Sequence, residues 1–143
     1  MGMVGYIDSS FLLSILIEDS RCEQTVELWH TIDTRVSSRL LEIETFINIH
    51  KYKTEKRKSA AWLNKILNLS SECLEEINLL SLDYKVTEVV YSNLVLIKCR
   101  SLDASHLATA ILFQKSHQET IKVFSYDKRM NDVAQVLDFH TIT

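Results

Sequence analysis

Residues 3–19, MVGYIDSSFLLSILIED, carry the local pattern on which the fold turns. Met3–Ile7 is a short apolar run ending at Asp8, and it reads as a strand buried on both faces. Ser9 or Ser10 then offers a hydroxyl to cap a helix through Ile17. Strand, acid and helix follow one another without a glycine or proline turn, and the same alternation recurs down the chain. Arg35–Ser38, Asn78–Leu82, Ile121–Phe124 and Phe139–Ile142 are further extended segments. Between them lie a helix with Cys22, Val26, Leu28 and Trp29 inward, and a helix over Arg39–Lys53 with Leu40, Ile43, Phe46 and Ile47 at helical spacing. Glu55–Leu69 continues the pattern with Trp62, Ile66 and Leu69. Helices follow from Asp83 to about Asn93, over Leu102–Lys115 with the small residues Ala104, Ala108 and Ala110, and from Asp127 through Leu137. Leu94–Ile97 fits helix or strand equally. With no hairpin dipeptide anywhere, strands separated by helices predict an α/β fold in three layers, α/β/α, around a mainly parallel central sheet. No proline and only Gly2 and Gly5 are present, so helix stops are expected to come from Ser, Asn and Asp.

A length of 143 residues suits one domain, 1–143, with one full core. Hydrophobic residues at 46% and charged residues at 24% exclude a disordered or low-complexity chain. The apolar run Phe11–Ile17 is broken by Ser14 and falls far short of the ~20 residues of a membrane span. No basic region precedes an apolar stretch, so no secretory signal is expected and the chain reads as cytoplasmic. Cys22, Cys73 and Cys99 are odd in number and lack CxxC spacing; they read as buried free thiols. The net charge of −3 argues against holding nucleic acid by bulk attraction. Residues 51–58, KYKTEKRK, nevertheless carry +4, leaving −7 for the rest. That patch, with Lys56, Arg57 and Lys58 at its end, either steers a polyanion or is a solvated helix face.

Open parallel sheets place their sites outside the carboxyl ends of strands, which directs attention to the acids found there. Asp8 ends the first strand, Asp103 lies in the first turn of the alanine-rich helix, and Asp127 follows the Ile121–Phe124 strand. Glu44 sits at the rim of an apolar stripe, whereas Glu42 has polar neighbours. Each has an ordinary structural reading, Asp127 as a helix cap and Asp103 as a complement to the helix dipole. Four converging carboxylates with no basic residue among them would raise one another's pKa unless a cation stood between them. Mg²⁺ or Mn²⁺, which prefer oxygen ligands, would meet that need and supply phosphodiester-hydrolysing chemistry.

Four segments, GYIDSSFLLSILIED (5–19), SSRLLEIETFIN (37–48), RSLDASHLATA (100–110) and FSYDKRMNDVAQVL (124–137), resemble in order and spacing the motif blocks of PIN-domain ribonucleases, above all VapC-type toxins. The resemblance implies a PIN-like fold and a metal-dependent endoribonuclease that hydrolyses structured RNA such as tRNA or rRNA. It implies that Asp8, Glu44, Asp103 and Asp127 form the acidic metal-binding set, with Asp127 the ligand that varies within the family. It also implies a cognate antitoxin and a homodimer. Ser9 and Ser125 stand where the family often has threonine, each keeping a hydroxyl, and Ser9, Ser10 or Ser125 could orient an acid or a metal-bound water. Glu42 and Glu44 compete for one motif position, and the block alignment selects Glu44. His106, one turn after Asp103, is a structural histidine, a partner of that carboxylate or a phosphate contact. Arg39, Lys128 and Arg129 flank the pocket in sequence as RNA-phosphate contacts or ordinary surface charge. The competing reading is a catalytically inactive PIN-like module that binds RNA or protein. A phosphoaspartyl hydrolase is disfavoured because Ser10 stands where that pattern needs a second Asp.

Overall fold

The computed structural model describes residues 2–143. Among the described residues, five strands form one sheet: β1 (Val4–Ile7), β2 (Thr34–Ser38), β3 (Asn78–Leu80), β4 (Ile121–Phe124) and β5 (His140–Thr141). Their order is β3-β2-β1-β4-β5, and every neighbouring pair is parallel. Seven α-helices connect them: α1 (Ser9–Leu16), α2 (Cys22–His30), α3 (Leu40–Glu55), α4 (Ala60–Glu75), α5 (Tyr84–Ser92), α6 (Ser101–His117) and α7 (Lys128–Val136). The ambiguous run at Leu94–Lys98 is a 3-10 helix.

The two-residue period of β1 builds both cores. Val4 and Tyr6 join Val86, Leu107, Val123 and Met130 in the layer of α5, α6 and α7. Ile7 joins Phe11, Trp29, Leu41, Ile66 and Phe124 in the layer of α1 to α4. Both faces of β1 are thus dry, as a near-continuous apolar strand in a parallel sheet requires. Gly5 lets β1 lie under the Phe124 ring, for a Cβ there would sit 2.7 Å from Phe124 Cε1 and 2.9 Å from Ile32 Cγ2.

Several expectations need correction. Helix α3 buries Leu41, Thr45 and Ile49, at i, i+4 and i+8, whereas Ile43, Phe46 and Ile47 face outward. The helix has two apolar stripes, and the neighbouring elements cover the one that carries Thr45. Helix α3 runs on to Glu55, and α4 begins only after Ser59, whose hydroxyl accepts a bond from the Trp62 N–H. Neither Ser9 nor Ser10 caps α1; Asp8 holds the cap position without using its side chain as the cap. Left-handed backbone occurs at Glu18, Arg57, Gln118 and Asp138, of which only Asp138 is an expected stop residue, although α5 does end at Asn93. Cys73 is buried, but Cys22 and Cys99 are half-buried; all three are free. Burial, with Glu76 and Glu72 nearby, pushes the Cys73 thiol up to about 11. No described helix is long and apolar enough to cross a membrane.

Candidate active site

Strand order reverses between β1 and β4, the point at which parallel sheets open a crevice. A cleft of about 680 Å³ opens there, and Asp8, Glu44, Asp103 and Asp127 all line it. They arrive from the end of β1, the second turn of α3, the first turn of α6 and the cap of α7, so the fold alone brings them together.

Asp8 is almost fully buried and firmly held. Its Oδ2 accepts bonds from Ser10 Oγ and Ser125 Oγ, each at 2.7 Å, and its backbone N–H donates to Phe124 O at 3.1 Å. Ser10, rather than Ser9, is therefore the serine that orients this acid, while Ser9 only lines the cleft. Ser125 also accepts the Asp127 N–H at 3.0 Å, tying the ends of β1 and β4 together. Beneath it, buried Asn131 donates to Ser125 O at 2.9 Å.

Glu44 meets His106, whose Nε2 donates to its carboxylate. His106 Nδ1 lies 2.8 Å from the phenol of Tyr6, and both rings are fully buried. His106 is thus out of reach of a substrate phosphate, and it bonds to Glu44 rather than to Asp103. Burial pushes its pKa down, but the Glu44 bond and the charges of Asp8, Glu44 and Asp103 more than offset this and leave it raised. Glu42, by contrast, is exposed outside the cleft, where Arg39 pairs with it at 3.5 Å. Both line a separate groove with Phe46, so Arg39 does not flank the acids as expected.

Asp127 combines its two readings. Its Oδ1 accepts the Met130 N–H at 2.9 Å as the α7 cap, and its Oδ2 faces Arg100 Nη2 at 3.2 Å. The Arg100 Nε also donates to Asp103 Oδ2 at 3.4 Å. A cleft expected to lack basic residues therefore has a guanidinium across two of its acids. Arg100 stands three residues before Asp103, a spacing that in sequence looks like an ordinary exposed helix pair. Burial first, then the charges of Asp8 and Asp127, raise the Asp103 carboxyl above its usual value, with Arg100 opposing them. Lys51 also lines the cleft, whereas Lys56, Arg57 and Lys58 are exposed beyond the end of α3. Lys128 and Arg129 line a smaller groove of about 310 Å³ with Arg100 and Asp127, and Lys128 pairs with Asp132 at 2.8 Å.

Among the described residues, no three His, Cys, Asp or Glu side chains form a ready-made metal cage. The donor set nevertheless fits a hard cation. All four acids offer oxygen, two of them share a cation already, and burial, then the charges of Asp8 and Asp127, raises the Asp103 carboxyl.

A family model described as the PIN domain matches residues 5–136. No curated protein matches the chain. Among solved structures, a toxin–antitoxin complex from Klebsiella pneumoniae is similar, with a TM-score of 0.61 and 17% sequence identity, covering 89% of this chain and 89% of that one. At that identity the likeness speaks for the fold. The match over residues 5–136 takes in all four acids of the cleft, and the chain belongs to the PIN domain family.

Proposed function

We propose that this chain is a metal-dependent endoribonuclease, the toxin of a type II toxin–antitoxin pair, acting on structured RNA such as tRNA or rRNA in the cytoplasm. One observation carries the reading: four carboxylates from four distant segments line one cleft at the sheet's switch point. Asp8, Glu44 and Asp103 would hold Mg²⁺ or Mn²⁺, and Asp127 would complete the set or orient a water. When bound, such an ion polarises a phosphoryl oxygen and acidifies water, the chemistry phosphodiester hydrolysis needs. The chain's own part is preorganisation. Ser10 and Ser125 fix Asp8, His106 fixes Glu44, and the α7 cap fixes Asp127 with one oxygen left toward the cleft. Lys51 and Arg100 in the cleft, with Lys128 and Arg129 in the adjoining groove, supply positive charge along which an RNA backbone would run.

Two apolar surfaces support the partners. Ile43, Phe46 and Ile47 form an exposed stripe on α3, and Ile47 reaches the cleft wall, as suits an antitoxin segment covering the acids. Tyr91, Leu94 and Ile97 are more than 70% exposed near the end of α5 and suit a second copy of the chain. The decisive experiment incubates the purified protein with total tRNA and rRNA in Mn²⁺, beside Asp8→Asn and Asp103→Asn. Cleavage should fall by at least about a hundredfold in each variant and stop in chelator. Full cleavage by Asp103→Asn contradicts the reading; RNA binding without cleavage in any metal transfers it to an inactive module.

A further inference from the structure

Among the described residues, Arg100 is the one cationic side chain paired with two of the cleft acids, and it is 70% exposed on a long, flexible stem. It also belongs to two concavities: the acid cleft and the groove it shares with Lys128 and Arg129. A guanidinium between Asp103 and Asp127 occupies the place where a shared cation is best stabilised. The same group presents a planar fork that suits a phosphate as well as a carboxylate. We propose that Arg100 is an exchangeable counter-ion: it holds Asp103 and Asp127 together in the metal-free protein, yields them to a divalent cation, and then binds a substrate phosphate at the mouth of the adjoining groove.

This rests on the metal-dependent reading above and adds an order of events to it. An arginine on the carboxylates keeps the acid pair assembled when no ion is present, at the expense of ion affinity. Once released, it has the two neighbouring basic residues beside it and no other carboxylate bonded to it. Lys128 is already engaged by Asp132, and Arg129 pairs with neither cleft acid, so Arg100 is the cation whose partner changes.

The test titrates Mn²⁺ into wild type, Arg100→Ala and Arg129→Ala by calorimetry, without RNA. Arg100→Ala should bind Mn²⁺ about three- to tenfold more tightly, because two partly exposed ion pairs no longer compete. Arg129→Ala removes the same charge from the same groove and should change affinity by less than about twofold. Adenosine 5′-monophosphate, which has no phosphodiester bond to cut, then probes the Mn²⁺-loaded proteins. Arg100→Ala should bind it several-fold more weakly, and Arg100→Lys should recover only part of the loss, because an ammonium supplies the charge without the planar fork. Unchanged or weaker Mn²⁺ binding by Arg100→Ala, or equal tightening in Arg129→Ala, overturns the exchange while leaving the metal site standing. Unchanged mononucleotide binding overturns the phosphate role. A wild type that binds no Mn²⁺ overturns both the exchange and the reading beneath it.

Discussion

At the scale of single residues, Asp127 serves two ends with two oxygens, and substitution separates them. Asp127→Ala loses the bond to the Met130 N–H and should cost about 1 kcal/mol of stability, whereas Asp127→Asn keeps an accepting oxygen and should cost little. Both should lose RNA cleavage, so denaturant melts and activity together divide cap from site. Asp103 gives a pH signature. Its raised pKa means that the folded state holds the Asp103 proton to higher pH than the unfolded chain does. Its contribution to stability is therefore fullest in acid and falls as pH rises through the carboxylate range toward the folded value. Asp103→Asn should melt above wild type at pH 7 without metal, with the gap closing in acid; a lower melt at pH 7 contradicts this. Singly, an acid at a strand end or a helix start has an ordinary reading; the four become legible together, gathered at strand ends and helix starts and in the order of the PIN motif blocks. Arg100 is not legible, since a cation three residues from an acid is ordinary on any helix surface. Only the return of Asp127 beside Asp103 in space makes it unusual.

At the scale of elements, apolar periodicity locates all seven helices but not always their buried faces. Helix α3 shows why: Leu41, Thr45 and Ile49 turn inward although Ile43, Phe46 and Ile47 are the more hydrophobic set. Neighbouring elements, not the helix's own sequence, decide which stripe finds a partner. Helix ends are equally hard to read, because glycine is nearly absent. Gln118 closes α6 with φ at 52°, a left-handed conformation that disfavours any residue with a Cβ. Gln118→Gly should therefore stabilise the protein by about 0.5–1 kcal/mol in chemical denaturation, with unchanged secondary structure by circular dichroism. A destabilised variant means that the Gln118 side chain does more than tolerate its backbone.

At the scale of the whole molecule, charge is divided between an acidic body and the basic stretch 51–58. Lys51 reaches the cleft, and Lys56, Arg57 and Lys58 are exposed beyond the end of α3. Neutralising those last three residues should weaken RNA binding and reduce the slope of log affinity against log salt by about 0.7 for each phosphate they no longer neutralise. An unchanged slope takes the turn off the RNA path. The sheet order has a different consequence, one of timing. Strand β1 is made first, yet the Asp8 N–H bonds to Phe124 O, so the central strand waits for a neighbour from the far end of the chain. The four acids likewise come from residues 8, 44, 103 and 127. A growing chain on the ribosome has no assembled cleft until the sequence of β4 and the start of α7 has been made. Chains cut short before that point carry at most three of the acids and no crevice to hold them.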